Sequence, residues 1–372
     1  MNIKQAKSKL DSVIAKSRNQ FYKPIQVAEV LYRSRVHGDI DVIDKETYRN
    51  SSKKWRNEVS KQLIGGKGST SSSRYQDDIW NDNAMPPETL NILDQENKNE
   101  NYPGVVEFYI YENFIQKQGV ITAILEKIKL LNPSEFKLKD LLDMFRIEKN
   151  IKRNIDKCYE IITYSLFETI VTSLEAKITI KISPERLELL EDFKDLTKVL
   201  LNLEPNQTEW TESAHIYRVG VTNAADGGLD MWANFGPAIQ VKHINLQQSD
   251  AESIVDQIES DHIVIVCRDS EAQIIKNIMS QIGWGKRVRG IITEQQLIGG
   301  YDKCLRGKFS QDLSPLLMKL LNQSFEDEFP QAADQASKIK AFCQDRGYDK
   351  IKLPEMWKVE TEIEEVQTEI ED

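Results

Sequence analysis

Residues 226–243 read DGGLDMWANFGPAIQVKH, with Asp230 on one side of Asn234-Phe235-Gly236-Pro237 and Gln240-Val241-Lys242 on the other. Asn, Gly and Pro in succession are a turn signal, so 229–233 and 238–244 are predicted to pair as a hairpin. Side chains alternate along a strand, which sets Gln240 and Lys242 on one face and Ile239 and Val241 on the other. If the loop is centred on Phe235, Asp230 lies opposite Gln240, and an acid, an amide and an ammonium group converge. Mg2+ prefers hard oxygen ligands. Asp230 offers a charged oxygen, Gln240 a neutral one, and the Val241 carbonyl a third. Lys242 would orient the attacking water and stabilise charge building on phosphorus. The chemistry this implies is metal-assisted hydrolysis of a phosphodiester. An amide at position 240, where a second carboxylate would be ordinary, removes one negative charge and weakens the metal-free site, and a substrate phosphate would restore that charge. A plain surface hairpin is the simpler alternative, but it leaves the convergence of three polar groups unexplained. His243 falls on the opposite face from Lys242 and reads as a sheet residue.

Such a hairpin needs a sheet behind it. KITIKI (177–182) alternates with period two, and HIYRVGVT (215–222) and AIQVKHI (238–244) are further candidate strands. DAESIVDQIES follows as a helix capped by Ser249 or Asp250, and HIVIVC (262–267) is an apolar run suited to a strand buried on both faces. EAQIIKNIMSQIG reads as helix, RVRGIIT (287–293) as strand and EQQLIGGYDKCL as helix. Strands alternating with helices predict an α/β fold with a mixed sheet. The first part of the chain is mainly helical: Ile3, Leu10, Val13 and Ile14 recur at helical spacing, and IQVAEVLYRSR follows Pro24. LDQENKNENYPG (93–104) is polar, ends in Pro-Gly and reads as a loop or linker. The organisation expected is a helical region over 1–150, an α/β core over 155–310, and a helical segment over 311–372 ending in a poorly ordered acidic tail.

The 372 residues suffice for two or three domains. No run of eighteen apolar residues exists and the start lacks a secretory stretch, so a cytoplasmic protein is expected, with no membrane association. Four cysteines without CxxC spacing and four histidines without HxxxH spacing favour reduced thiols over structural zinc. A net charge of −10 argues against a polyanionic partner until its distribution is considered. Residues 1–75 carry 16 Lys/Arg against 7 Asp/Glu, whereas 355–372 carry 8 acids against one lysine. Screening limits electrostatic reach to about 10 Å, so a basic region binds phosphates whatever the total. Lys53, Lys54 and Arg56 in SKKWR, and the cluster Lys286, Arg287 and Arg289, are candidates for phosphate contact. A solvated charged face is their plain alternative. LIGGKGSTSSSR (63–74) departs from the nucleotide phosphate-loop pattern, because Lys61 stands where the first glycine belongs. Its Lys67 and Arg74 are further DNA-contact candidates, on what is otherwise a plain surface loop.

The block DGGLD followed by IQVK resembles the PD-(D/E)xK nuclease superfamily in its QxK variant, as in Mrr-like enzymes. The helix, HIVIVC strand, helix and RVRGIIT strand that follow match that fold too. With this block, KLDSVIAKSR and YKPIQVAEVLYRSRV further resemble HaeII-type type II restriction endonucleases, over most of the chain. The resemblance implies a restriction-endonuclease-like core and Mg2+-dependent cleavage of double-stranded DNA leaving a 5′-phosphate, with a GCGC-centred palindrome as target. It also implies a homodimer, a bacterial host and a cognate DNA methyltransferase to protect that host's DNA. Only Asp230, Gln240 and Lys242 transfer residue by residue. The superfamily often adds an earlier acid, and Glu168, Glu212 and Asp226 all remain open for that role. The rivals are an Mrr-like modification-dependent endonuclease, a non-cleaving DNA-binding relic with Gln240 as its scar, and a helical scaffold that leaves DGGLD…QVK unexplained.

Overall fold

The computed structural model describes residues 1–17, 21–65, 79–80, 84–148, 151–219, 229–242, 262–281, 288–329 and 332–359. The Gly/Ser-rich loop, the helix expected after 249, His243 and the acidic tail from 360 onward lie outside them. The chain divides into two compact units, residues 1–130, 141–155 and 329–372 in one, and 131–140 and 156–328 in the other.

The first unit is helical. Helix α1 (Ile3–Ala15) opens with a capping box in which Asn2 and Gln5 each accept from the other's backbone N–H. Ala6, Leu10, Val13 and Ile14 line its buried stripe, as the spacing predicts. It is followed by α2 (Tyr22–Tyr32), α3 (Ser51–Ile64), α4 (Pro87–Asn97) and the long α5 (Val105–Leu130). The stretch 93–104 is helix as far as Asn97 and, as expected, loop from Lys98 to Gly104. Leu93 and Asn97 are buried at the end of α4, and the Asn97 Oδ1 accepts from the N–H groups of Val106 and Glu107. Its polarity is therefore the polarity of a helix cap.

Two buried carboxylates tie this unit together. Arg346 donates to both oxygens of Glu29 at 2.7 and 2.9 Å, and the Tyr111 hydroxyl adds a third bond to Glu29. Arg35 grips Glu107 in the same two-pronged way at 2.9 and 2.8 Å, and Tyr348 also donates to Glu107. Arg346 sits at the end of a late helix, α13 (Ala332–Asp345), that packs along α5. The helical segment expected over 311–372 is thus divided between the units.

The second unit carries the sheet. Its strands are β3 (Ile216–Arg218), β4 (Met231–Ala233), β5 (Ala238–Lys242), β6 (Ile263–Cys267) and β7 (Val288–Thr293), in spatial order 3-4-5-6-7. The first three run antiparallel, and β5, β6 and β7 run parallel. The fold class is mixed α/β, as the alternation of elements predicts. A separate two-stranded ribbon pairs β1 (Lys177–Lys181) with β2 (Glu209–Ser213). β2 is not among the strands expected from sequence, because EWTES is polar and mostly exposed and lacks an apolar period. Helix α7 (Ile155–Ser173) is tied to the sheet through Glu168, which accepts from the Ile216 N–H of β3, and to α11 (Glu294–Arg306), whose Tyr301 hydroxyl donates to the Ile162 carbonyl. Gly300 lets those two helices approach, since a Cβ there would lie 2.7 Å from Leu166 Cδ2. Between β7 and its partner strand runs α10 (Asp269–Gln281).

Replacing Arg346 with methionine strands Glu29 as a buried charge. Urea unfolding should show a loss of about 3–5 kcal/mol, and pairing the change with Glu29→Met should recover much of it.

Candidate active site

The hairpin has the register its sequence implies. Met231 pairs with Ile239 and Trp232 with Ala238, so Asp230 comes opposite Gln240. The turn closes through Gly236 at φ +114, with its N–H donating to the Ala233 carbonyl. Only glycine adopts such a φ without strain. The Gln240 amide nitrogen donates to Asp230 Oδ2 at 2.8 Å, and the Val241 N–H donates to the same oxygen at 2.7 Å. N–H and C=O of one strand residue point to the same side, so the Val241 carbonyl also faces the Asp230 side.

Gln240 is 3% exposed, and its Oε1 has no hydrogen-bond partner. An orphaned acceptor in a dry site is costly unless a cation or water meets it. The donor set here, one carboxylate and one bare amide oxygen, suits a hard divalent cation. Among the described residues no three His, Cys, Asp or Glu side chains gather as a metal site, in keeping with an amide standing where an acid would be ordinary.

A second acid is electrostatically coupled to Asp230, and it is not Glu168, Glu212 or Asp226. Glu160 on α7 is buried, and burial pushes its carboxyl up to about 7. Lys157, donating to both its oxygens at 2.8 and 2.7 Å, opposes that rise, while the Asp230 carboxylate adds to it. Arg218 on β3 acts on the same carboxyl. Its Nη2 donates to Glu328 at 2.7 Å, and its buried Nη1 has no partner.

The other candidates lie elsewhere. Glu168 accepts from the Ile216 N–H at 2.7 Å and bonds the His215 Nδ1 at 2.7 Å, so it anchors the start of β3. Glu212 sits on the exposed ribbon and accepts from Asn234. Asp226, Lys67, Arg74, Lys286 and Arg287 lie outside the described residues, as does the Lys242 side chain, although its backbone closes β5 opposite Cys267. Arg289 is exposed on β7.

On α3, Lys53 and Lys54 share a face with Asn50, Asn57, Glu58 and Lys61 around an open hollow, three lysines against one acid. Arg56 must be removed from the phosphate-contact set. It is fully buried, donates to Gln26 Oε1 and lies over the Tyr22 ring.

Neither Glu160 nor Arg218 stands out in the sequence. An acid at 160 inside the otherwise apolar run YEIITYSLF was the available signal, but nothing in its spacing from Asp230 shows that the two meet.

A family model described as HaeII restriction endonuclease matches residues 6–348. The chain is 44% identical to the type II restriction enzyme HaeII of Haemophilus aegyptius over 94% of its own length and 98% of that protein's. It is 41% identical to the type II restriction enzyme NgoBI of Neisseria gonorrhoeae over 93% and 97% respectively. No solved structure matches. With nearly the whole length matched and the hairpin intact, the chain belongs to the HaeII restriction endonuclease family.

Proposed function

We propose that this type II restriction endonuclease cleaves double-stranded DNA at the Asp230–Gln240 hairpin, with Mg2+ held by Asp230, Gln240, the Val241 carbonyl and Glu160. The observation that carries this reading is the bare, buried Gln240 Oε1 beside a carboxylate already oriented by two hydrogen bonds. When bound, Mg2+ supplies Lewis-acid polarisation and a lowered pKa for water.

The protein groups do the rest. Gln240 and Val241 hold Asp230 in place so that it need not reorganise as charge develops. Lys242, carried over from the family resemblance, orients water and stabilises the charge that builds on phosphorus. The unpartnered Nη1 of Arg218 is suited to a non-bridging phosphate oxygen. Glu160 is the earlier acid on this reading, because its carboxyl is coupled to the charge of Asp230, whereas Glu168 is engaged by Ile216 and His215 and Glu212 by Asn234.

The five-stranded mixed sheet with α7 is the nuclease core of the PD-(D/E)xK type. The helical first unit is the DNA-recognition region, with the α3 face around Lys53, Lys54 and Lys61 against the phosphates. A GCGC-centred palindrome follows from the family resemblance, a homodimer from the need to cut two strands, and a partner methyltransferase from the need to protect host DNA. Among the described residues no helix is long and apolar enough to cross a membrane.

Supercoiled plasmid digested with Mg2+ tests the reading. The protein should give discrete bands, and Lys242→Ala should lose about 100-fold or more in rate while still binding DNA. Equal activity in the two, or a smear, would sink it. Cutting confined to methylated plasmid would instead favour the modification-dependent rival.

Glu160 predicts a pH dependence with a definite sign. Its folded pKa lies above its unfolded value, so the metal-free protein is least penalised below pH 4.5 and loses stability as pH rises through about 7. The full penalty is up to about 3 kcal/mol. In EDTA, Glu160→Gln should therefore unfold at higher urea than the parent at pH 8, with the gap closing at pH 5. Parallel curves across that range would remove Glu160 from the site.

Replacing both Lys54 and Lys61 with alanine should flatten the log–log salt dependence of DNA binding, measured without Mg2+, by about 2.

A further inference from the structure

Between β1 and β2 the chain forms two short helices, α8 (Leu187–Asp192) and α9 (Lys194–Leu201). Their inner side makes a small core: Leu190 and Leu203 are buried, and the Trp210 indole donates to the Leu201 carbonyl. Their outer side is apolar and uncovered. Leu187, Leu189, Phe193, Leu196, Val199 and Leu200 are between 41% and 82% exposed, and no residue of α9 is buried.

Eight residues are too few for a helix to persist in water without a packed face, since isolated helices below about 12–15 residues are marginal. Contiguous exposed apolar surface of this kind marks an association site.

We propose that this surface is the homodimer interface, with a second copy of the chain as its occupant. The choice of occupant rests on the nuclease reading above, which requires two sites for two strands, and on the charge pattern. α8 carries three acids and no base (Glu188, Glu191, Asp192), and α9 carries two lysines against one acid (Lys194 and Lys198 against Asp195), so the two helices are of opposite net charge. A twofold axis through Phe193 lays α8 of one copy along α9 of the other. Leu187 and Leu189 then meet Val199 and Leu200, and the three acids meet the two lysines. Such a patch is self-complementary, as a twofold interface must be. The pairs these side chains make within one chain, Lys194–Glu191 at 3.4 Å and Lys198–Glu204 at 2.5 Å, are exposed and weak enough to exchange.

The ribbon is tied to the active-site sheet. The Ala214 N–H donates to the Ala176 carbonyl, and Asn234 in the hairpin turn bonds both Ser213 and Glu212. Dimerisation through α9 would therefore fix the position of one hairpin relative to the other.

Sedimentation velocity of the full-length protein tests the proposal, with plasmid cleavage run in parallel. The parent should be a dimer and Leu196→Asp/Leu200→Asp a folded monomer that nicks plasmid but yields little linear product. Lys194→Glu/Lys198→Glu should also be monomeric, and mixing it with Glu188→Lys/Glu191→Lys should restore a dimer. A monomeric parent overturns the proposal. So does a leucine variant that stays dimeric, an outcome that leaves the nuclease reading intact. A dimer that dissociates as expected but cuts no DNA supports the interface and rejects the nuclease reading.

Discussion

One carboxylate oxygen organises the active-site hairpin. Asp230 Oδ2 receives the Gln240 amide and the Val241 N–H at once, across the turn that joins β4 to β5. This couples a backbone donor, which strand register alone positions, to a side chain that would otherwise swing. It also explains what a glutamine does at 240. Two carboxylates so close would repel each other in the metal-free protein. An amide turns the repulsion into a hydrogen bond and presents its oxygen, bare and buried, to whatever cation arrives. On the proposed reading, the site gives up one charge of metal affinity and in exchange is preorganised before metal or DNA is present.

Glu160 shows the opposite compromise. A carboxyl buried beside another carboxylate is held partly neutral near pH 7, at a cost to folding that only a cation or a proton relieves. Lys157 limits that cost without removing it. Helix α7 brings this acid to the site and also delivers Glu168, which accepts from the first N–H of β3. One helix thus carries a structural acid and, on the proposed reading, a chemical one, told apart by their partners. Glu168 is satisfied by donors from β3 and its flanking histidine, whereas Glu160 faces a like charge.

The helical unit solves a related problem differently. Glu29 and Glu107 are as buried as any apolar side chain, yet each is matched by a two-pronged arginine and a tyrosine hydroxyl. Satisfied in this way, buried charge specifies which late helix packs on which early one, since Arg346 lies some 300 positions from Glu29 in the chain. Polar residues in LDQENKNENYPG serve the same end locally, where Asn97 caps the next helix.

The local features of the chain were readable from its residues. Periodicity revealed α1, β1, β6, β7 and the α/β alternation, because each depends on the residue's immediate neighbours. Turn chemistry placed Asp230 opposite Gln240, because hairpin register follows from loop length. What the sequence could not disclose were relations set by packing between distant segments. Whether Glu160 or Glu168 faces Asp230 depends on the rotation of α7 against the sheet, and the place of Glu212 depends on the pairing of β2 with β1. The burial of Arg56 depends on Gln26 from another helix, and the fate of 93–104 on a cap with no apolar period. Short-range order is written in spacing, and long-range partnership is decided only when packed surfaces choose which charges must share a dry interior.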